Sequence, residues 1–418
     1  MNIYDSIRQL INSPIKRNGE VVGKVISIFP SLQHGFRIAP EIAVVNAART
    51  SFLGEAGRLD KDKKLFYYLY KHDHSSPLEA AEFVIGAFLT DAQWFEMVAD
   101  MRYQIKALRP YSDHLANFGF VKMDLNNAIK YYRYHSSSND NVSYILQHIF
   151  KFAFPWTAEL LNIESDVVIE DFESHVISTA KVLDKGFLDV YGLSINDDDL
   201  YEFICAIDPS YQNNYASNVS AGLYEFFKRG DLRALALWSI QIGVYAPLVT
   251  YWQWVRHRSW QFSLQSGRYM PFKDDDFYVV QENDWRIQST SNKQASSEER
   301  LSPENQNTVL KDIDFFDKNK VLTLTQALQE HYSRSFALYN AALENHVAKE
   351  QARIFLPAFS NYYKSILKVD LLSLLRFLKL RMATEAQYEI RVYANSLYEQ
   401  WADLMPLTAK YAQQFAFE

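Results

Sequence analysis

The most constraining stretch of this sequence is Gly243–Val255, GVYAPLVTYWQWV, which holds no charge at all. Such a run is predicted to be buried, because leaving it in water would expose too much apolar surface. Whatever the fold, it must deliver Arg256, His257 and Arg258 to the edge of a core. A guanidinium there needs an anion or a set of hydrogen-bond acceptors. No carboxylate occurs between Thr250 and Phe272, so the partner comes from elsewhere in the fold, from another subunit or from a ligand. Phosphate suits the arginine fork. The stretch runs on as SWQFSLQSGRY, adding Arg268 and the rings of Trp260, Phe262 and Tyr269.

Composition closes off several alternatives. The chain has 418 residues, 48% apolar and 15% aromatic, enough for one large core or two or three smaller ones. No apolar run reaches membrane-spanning length, and the first twenty residues lack the apolar core of a secretory signal, so a cytoplasmic protein is expected. The single cysteine, Cys205, rules out an intrachain disulfide and argues against a cysteine zinc site. Its apolar flanks, YEFICAIDP, predict a buried inert thiol. The ten histidines show no HExxH spacing, and GxGxxG, the P-loop and GxSxG are all missing. Rings and arginines would also suit single-stranded nucleic acid. A net charge of −7 and a pI of about 5.9 argue against that reading.

Charge divides the chain. Residues 91–233 hold 21 acidic and 12 basic side chains, so residues 91–236 are expected as an acidic, mostly helical insertion on the outside of a discontinuous core, 1–90 and 237–418. Strands are expected over KVISIF and EFVIGAFL. Helices are expected over DKDKKLFYYLYKH, NVSYILQHIFKFAF, ESHVISTAKVLDKGFLDVYG, VDLLSLLRFLKLRM and TEAQYEIRVYANSLYEQWADL. One more begins near Thr325, with Tyr332, Phe336, Tyr339 and Leu343 on one face. HSSSNDN, DPSYQNNYASN and 281–308 are expected as loops. No repeat is clear. FLTDAQWFEMVADMR only faintly echoes the layout of 247–258.

Further arginines stand in apolar surroundings: Arg353 in KEQARIFLP, and Arg376 and Arg381 in LLRFLKLRM. Each either snorkels to water or faces a ligand. NAARTSF and KHDHSSPLEAAEF place hydroxyls, His74 and Glu79 near expected helix ends, where Ser75 or Ser76 before Pro77 is also an ordinary N-cap. Taken with RHR, seven residues and then SGRY, with Gln253 three before the first arginine, these segments resemble the flavin-dependent thymidylate synthase (ThyX) family. NAARTSF is similar to its AARxS segment and KHDHSSPLE to its KHGHxTPxEH segment. VAKEQARIFLP and LLSLLRFLKLRMATEAQYEIRVYA resemble its C-terminal segments, in the same order.

The resemblance implies an α+β fold, a central antiparallel sheet with long helices, assembled as a homotetramer with composite active sites. It implies reductive methylation of dUMP to dTMP, with FAD as cofactor, NADPH as reductant and methylenetetrahydrofolate as carbon donor. Carried over by position, Ser51, Ser76, Glu79, Arg256, His257 and Arg258 fall at flavin-binding places. Gln253, Arg256, Ser266, Gly267, Arg268, Arg353 and Arg381 fall at dUMP-binding places, and His74 and Tyr269 flank the folate. Arg381 and Ser266 are the implied catalytic residues, Arg381 as a fixed guanidinium beside a ring that gains charge. The flavin route needs no cysteine nucleophile, which agrees with the setting of Cys205. No metal, membrane or nucleic-acid partner is expected. Gln261, Ser263 and Leu264 stand where the family often has Ser, Asn and Glu, and Ala80 where it has His. Asp370, Arg376 and Glu385 replace residues common around the flavin. These departures leave open a ThyX-like flavoenzyme acting on another pyrimidine nucleotide or carbon donor.

Overall fold

A computed structural model describes the chain except residues 31–37, 55, 101–103, 111–116, 137–139, 171–175, 216–217, 291–295, 311–322 and 418. Part of the expected HSSSNDN loop lies outside the described residues. The first sheet holds β1 (Pro14–Arg17), β2 (Glu20–Phe29), β3 (Glu82–Phe88), β4 (Lys106–Leu108) and β5 (Phe118–Asp124), in the order β1-β2-β3-β5-β4. The second holds β6 (Ser178–Val182), β7 (Gly186–Leu193), β8 (Ser239–Pro247), β9 (Gln261–Leu264) and, after the small hairpin of β10 (Arg286–Gln288) and β11 (Ser296–Arg300), β12 (Tyr362–Asp370). Its order is β6-β7-β8-β12-β9. Every pairing in both sheets is antiparallel. The expected α+β architecture, antiparallel sheets under long helices, is borne out.

The two sheets are one topology built twice. β3 and β5 pair so that Glu82 faces Asp124, and β8 and β12 pair so that Ser239 faces Asp370. Both third-to-fifth strand pairs end in the same tetrapeptide pattern, KMDL at 122–125 and KVDL at 368–371. The aspartates cap the helices that follow, Leu125–His135 and Leu371–Arg381, accepting from Asn127 N at 2.8 Å and Ser373 N at 2.9 Å. Each cap satisfies a backbone donor that the first helical turn leaves unpaired.

The next helices repeat as well. Asn141–Ala153 and Tyr388–Leu404 each break at a residue with φ −135°, Phe154 or Met405, and a new helix starts on Pro155 or Pro406. A buried carboxylate from an earlier helix caps each new start. Glu41 accepts from the backbone of Trp156 and Thr157 and the Thr157 hydroxyl, at 2.6–3.0 Å. Asp197 does the same for Leu407 and Thr408, at 2.5–3.0 Å.

The stretch 91–236 is therefore not an insertion outside the core. Its helices are real, but it also contains β4 and β5 of the first sheet and β6 and β7 of the second. It completes one unit and begins the other. Part of its acidity sits at helix starts, as in Asp197, Asp198 and Asp199, where carboxylates suit the unpaired N–H groups. From Ser178 on, ESHVISTAKVLDKGFLDVYG, whose first three residues lie outside the described ones, forms the β6–β7 hairpin rather than a helix. Burial alternates along Gly186–Val190, which is the period of a strand. DPSYQNNYASN contains a short helix, Ser210–Tyr215, and 281–308 contains β10 and β11.

The units pack on each other through their sheets. Val84, Leu108 and Phe120 of the first join the core of the second, with Phe120 edge-on to Phe203 at 4.7 Å. β8 is buried along almost its whole length, as its missing charges require. Among the described residues no helix is long and apolar enough to cross a membrane.

Candidate active site

The charge-free run ends in the helix Leu248–Trp254. Trp254 is fully buried, stacked on Phe377 at 4.9 Å and edge-on to Trp260 at 5.2 Å. These rings clamp both ends of the turn that carries Arg256, His257 and Arg258. The arginines are exposed and His257 is half-buried. Arg381, in the last turn of Leu371–Arg381, donates from Nε to His257 Nε2 at 2.9 Å and from its terminal nitrogen to the Gln253 carbonyl at 3.2 Å. Burial and the Arg381 charge push His257 down to about 4, so the ring is neutral and accepts. Arg381 is held in place, not snorkelling.

A second group forms after β9. Ser51 Oγ donates to the Leu264 carbonyl and Ser266 N donates to the Ser51 carbonyl, both at 3.2 Å. Phe52 stacks on Tyr269 at 4.5 Å. Arg268 pairs with Glu350 at 3.1 Å, and Arg353 Nε donates to the Glu350 carbonyl at 3.4 Å. A Cβ on Gly267 would come within 2.5 Å of Phe272 and 3.4 Å of the Arg353 stem, so only glycine lets the chain pass between them. His74 is exposed and stacks on Tyr68 at 5.8 Å.

The third group lines a cavity of about 510 Å³ between the units, where Ser76, Glu79 and Arg258 meet. Its floor is an ion cluster. Glu82 pairs with Lys122 at 2.9 Å and Lys368 at 2.7 Å, and Lys106 with Asp370 at 2.6 Å. Lys122 also donates to Ser239 Oγ. Each KxDL lysine thus reaches the first residue of the other unit's third strand. Burial raises Glu82, but Lys122 and Lys368 outweigh it and hold the carboxylate well below its usual range. Glu79 goes the other way: burial and the Asp124 charge push it up to about 7. Trp260 Nε1 and Gln261 Oε1 are buried there without a partner.

The family described as thymidylate synthase complementing protein matches residues 196–407, half of the chain. The chain belongs to this family. Among similar curated proteins is the flavin-dependent thymidylate synthase of Treponema pallidum, 31% identical over 234 residues, 56% of this chain and 70% of the relative. Another, of Treponema denticola, is 35% identical over 161 residues, 38% of this chain and 54% of the relative, so the chain spans about half of that protein's length. Among solved structures, a UMP/dUMP methylase PolB from Streptomyces cacaoi bound with 5-Br dUMP aligns over 57% of this chain and 99% of that one, with TM-score 0.46 and 20% identity.

Most family-predicted positions fall into these three groups, but not into one cluster. Ser266, Gly267, Arg268 and Arg353 gather with Ser51 and Tyr269. Gln253 and Arg381 line a different cavity, of about 630 Å³, which also holds Glu385. Glu385 is not among the residues around the 510 Å³ cavity, whereas Asp370 is and has Lys106 beside it. Arg376 is exposed. Cys205 is half-buried and its thiol is pushed up by burial, against a nucleophilic role. Sequence reasoning missed Lys106, Lys122, Lys368 and Glu82. The twin KxDL patterns were the available signal.

Proposed function

We propose that this chain is a flavin-dependent thymidylate synthase that methylates dUMP reductively to dTMP, taking the carbon from methylenetetrahydrofolate and reducing power from NADPH. One observation carries the reading. Ser51 and Leu264, 213 residues apart, are hydrogen-bonded, and Ser76 and Glu79 share a cavity with Arg258. These contacts bring the NAARTSF and KHDHSSPLE segments to β9 and the turn before it, which supports the reading.

The residues of the 510 Å³ cavity fit a flavin nucleotide. The volume is in the range of cofactor sites. Trp260 and Phe262 offer aromatic wall, Arg258 a cation for a phosphate, and Trp260 Nε1 and Gln261 Oε1 an unused donor and acceptor. FAD, when bound and reduced, supplies hydride. Ser51, Ser76, Glu79, Arg256, His257 and Arg258 are proposed to hold it. Arg268 and Arg353, with Ser266 and Gly267, offer donors to the phosphate of dUMP. Gln253, Arg256 and Arg381 form a group apart from Ser266 within one chain, so they are proposed to meet the nucleotide in a composite site shared with a partner chain, where Ser266 and Arg381 act on it. The Arg381 guanidinium, oriented by His257 and the Gln253 carbonyl, stabilises charge that builds on the uracil without reorganising. His74 and Tyr269 supply ring faces for the folate.

Leu264 in place of an acidic residue motivates a second reading, in which the base or the carbon donor differs. Incubation with dUMP, methylenetetrahydrofolate, NADPH and FAD, followed by chromatography of the nucleotides, is expected to yield dTMP. Methylation of UMP and not dUMP would favour the second reading.

The expected homotetramer takes a different form in a chain with two units. Two chains supply four units, so the assembly proposed is a homodimer. Counterpart helices expose matching apolar pairs, Phe95 and Val98 at 75% and 54%, and Trp252 and Val255 at 53% and 44%. Such faces suit a partner.

A further inference from the structure

The repeat maps the strands and connecting helices of one unit onto those of the other. The short helix Ser75–Leu78, which brings Ser76 against β9, corresponds to the turn Leu232–Leu237, which packs on β4. The helices Pro40–Arg49 and Leu59–Lys71 correspond to Asp197–Ile207 and Val219–Arg229. The counterpart of the cleft around Ser51, Ser76 and β9 therefore lies where these second-unit elements meet β4. A cavity of about 270 Å³ is found there.

Its chemistry is no longer that of a nucleotide site. Counting from the helix starts Leu248 and Asp91, the RHR triplet corresponds to Ala99, Asp100 and Met101 in sequence. Counting back from Ser239 and Glu82, which occupy the same register, Ser76 and Glu79 correspond to Arg233 and Ala236. The lining is Leu108, Ile204, Ile207, Tyr211, Phe226 and Ala234, with two arginines. Both arginines already have carboxylates. Arg229 pairs with Glu225 at 3.1 Å and Asp208 at 3.6 Å and lies over the Tyr211 ring at 4.5 Å. Arg233 pairs with Asp231 at 2.8 Å. The charged lining residues, Arg229, Arg233, Asp208 and Asp231, sum to zero.

We propose that this second cleft binds an uncharged, largely apolar molecule of one or two rings, and that duplication has freed it from nucleotide binding. A dry apolar cavity of roughly 150 Å³ is enough for benzene, and burying such a ligand needs no new charge partner. The cleft shares a wall with the first cavity. Lys106, at the start of β4, pairs with Asp370, and Leu108, two residues on, lines the second cleft. The inference rests on the repeat and not on the substrate assigned above.

Indole is the probe. With the full chain, saturation-transfer NMR is expected to show indole bound, and the signal is expected to vanish in Ala234→Phe, which fills the cleft, with circular dichroism unchanged. Hydrogen exchange of the wild-type chain gives a reading that needs no variant: indole is expected to slow exchange within 204–211 and 226–234. Absence of binding, an undiminished signal in the folded filled variant, or protection confined to other segments would overturn the proposal.

Discussion

Arg381 and His257 share one hydrogen bond, 2.9 Å long, in which the guanidinium donates and a neutral imidazole accepts. The pair ties the end of one helix to the turn after another. It fixes the direction of a cation whose charge has no carboxylate partner among the described contacts. Arg381→Ala is expected to lower kcat by about 10²–10³, the usual cost of one preorganised donor, with the far-ultraviolet circular dichroism unchanged. His257→Ala should lower kcat less and leave dUMP affinity near normal, because it loosens Arg381 and one flavin contact but removes no donor to dUMP. Near-normal turnover of Arg381→Ala would remove it from the chemistry.

Glu79 gives the flavin cavity a pH dependence. Its raised value, about 7, means that it is protonated and neutral below that pH and a carboxylate above it. A phosphate-bearing cofactor meets less repulsion from the neutral form. Flavin affinity, followed by fluorescence quenching, is therefore expected to fall as pH rises through about 7. Glu79→Gln should flatten the profile at the high-affinity level. A profile that keeps its slope in the variant would assign the titration elsewhere.

The twin helix starts predict twin stabilities. Thr157 and Thr408 are both fully buried and both donate to a buried carboxylate. Removing either hydroxyl leaves an acceptor with one bond fewer, at about 1–3 kcal/mol. Thr157→Ala and Thr408→Ala are each expected to lower the urea midpoint, and the double variant by the sum, since the sites share no partner. An unchanged midpoint in either would mean that the backbone donors alone satisfy that carboxylate.

Assembly is read by light scattering. A homodimer has twice the chain mass of 48.7 kDa. Trp252→Glu is expected to shift the protein toward the single chain by placing a charge in an apolar contact. A wild-type monomer at micromolar concentration would exclude the dimer, and a tetramer of chains would exclude the count of four units.

The sequence by itself determined the family and the burial of most of the run that leads to Arg256. A run without charge had to be mostly interior, and Arg256, Arg258 and Arg268 had no carboxylate between Thr250 and Phe272 to explain them. The motifs needed only residue type and spacing to be seen. Tertiary structure alone decided that the chain holds the fold twice. A sheet and its caps constrain few positions: the strand-end lysine, the capping aspartate, the proline after the helix break and the buried threonine. KMDL and KVDL, or FPWT and MPLT, are too short to stand out among 418 residues, and the loops between them differ in length. The side chains between can change freely so long as they stay apolar and fill the core. Register and hydrogen bonding therefore preserve a topology after its sequence has drifted, and only the paired sheets make the repeat visible.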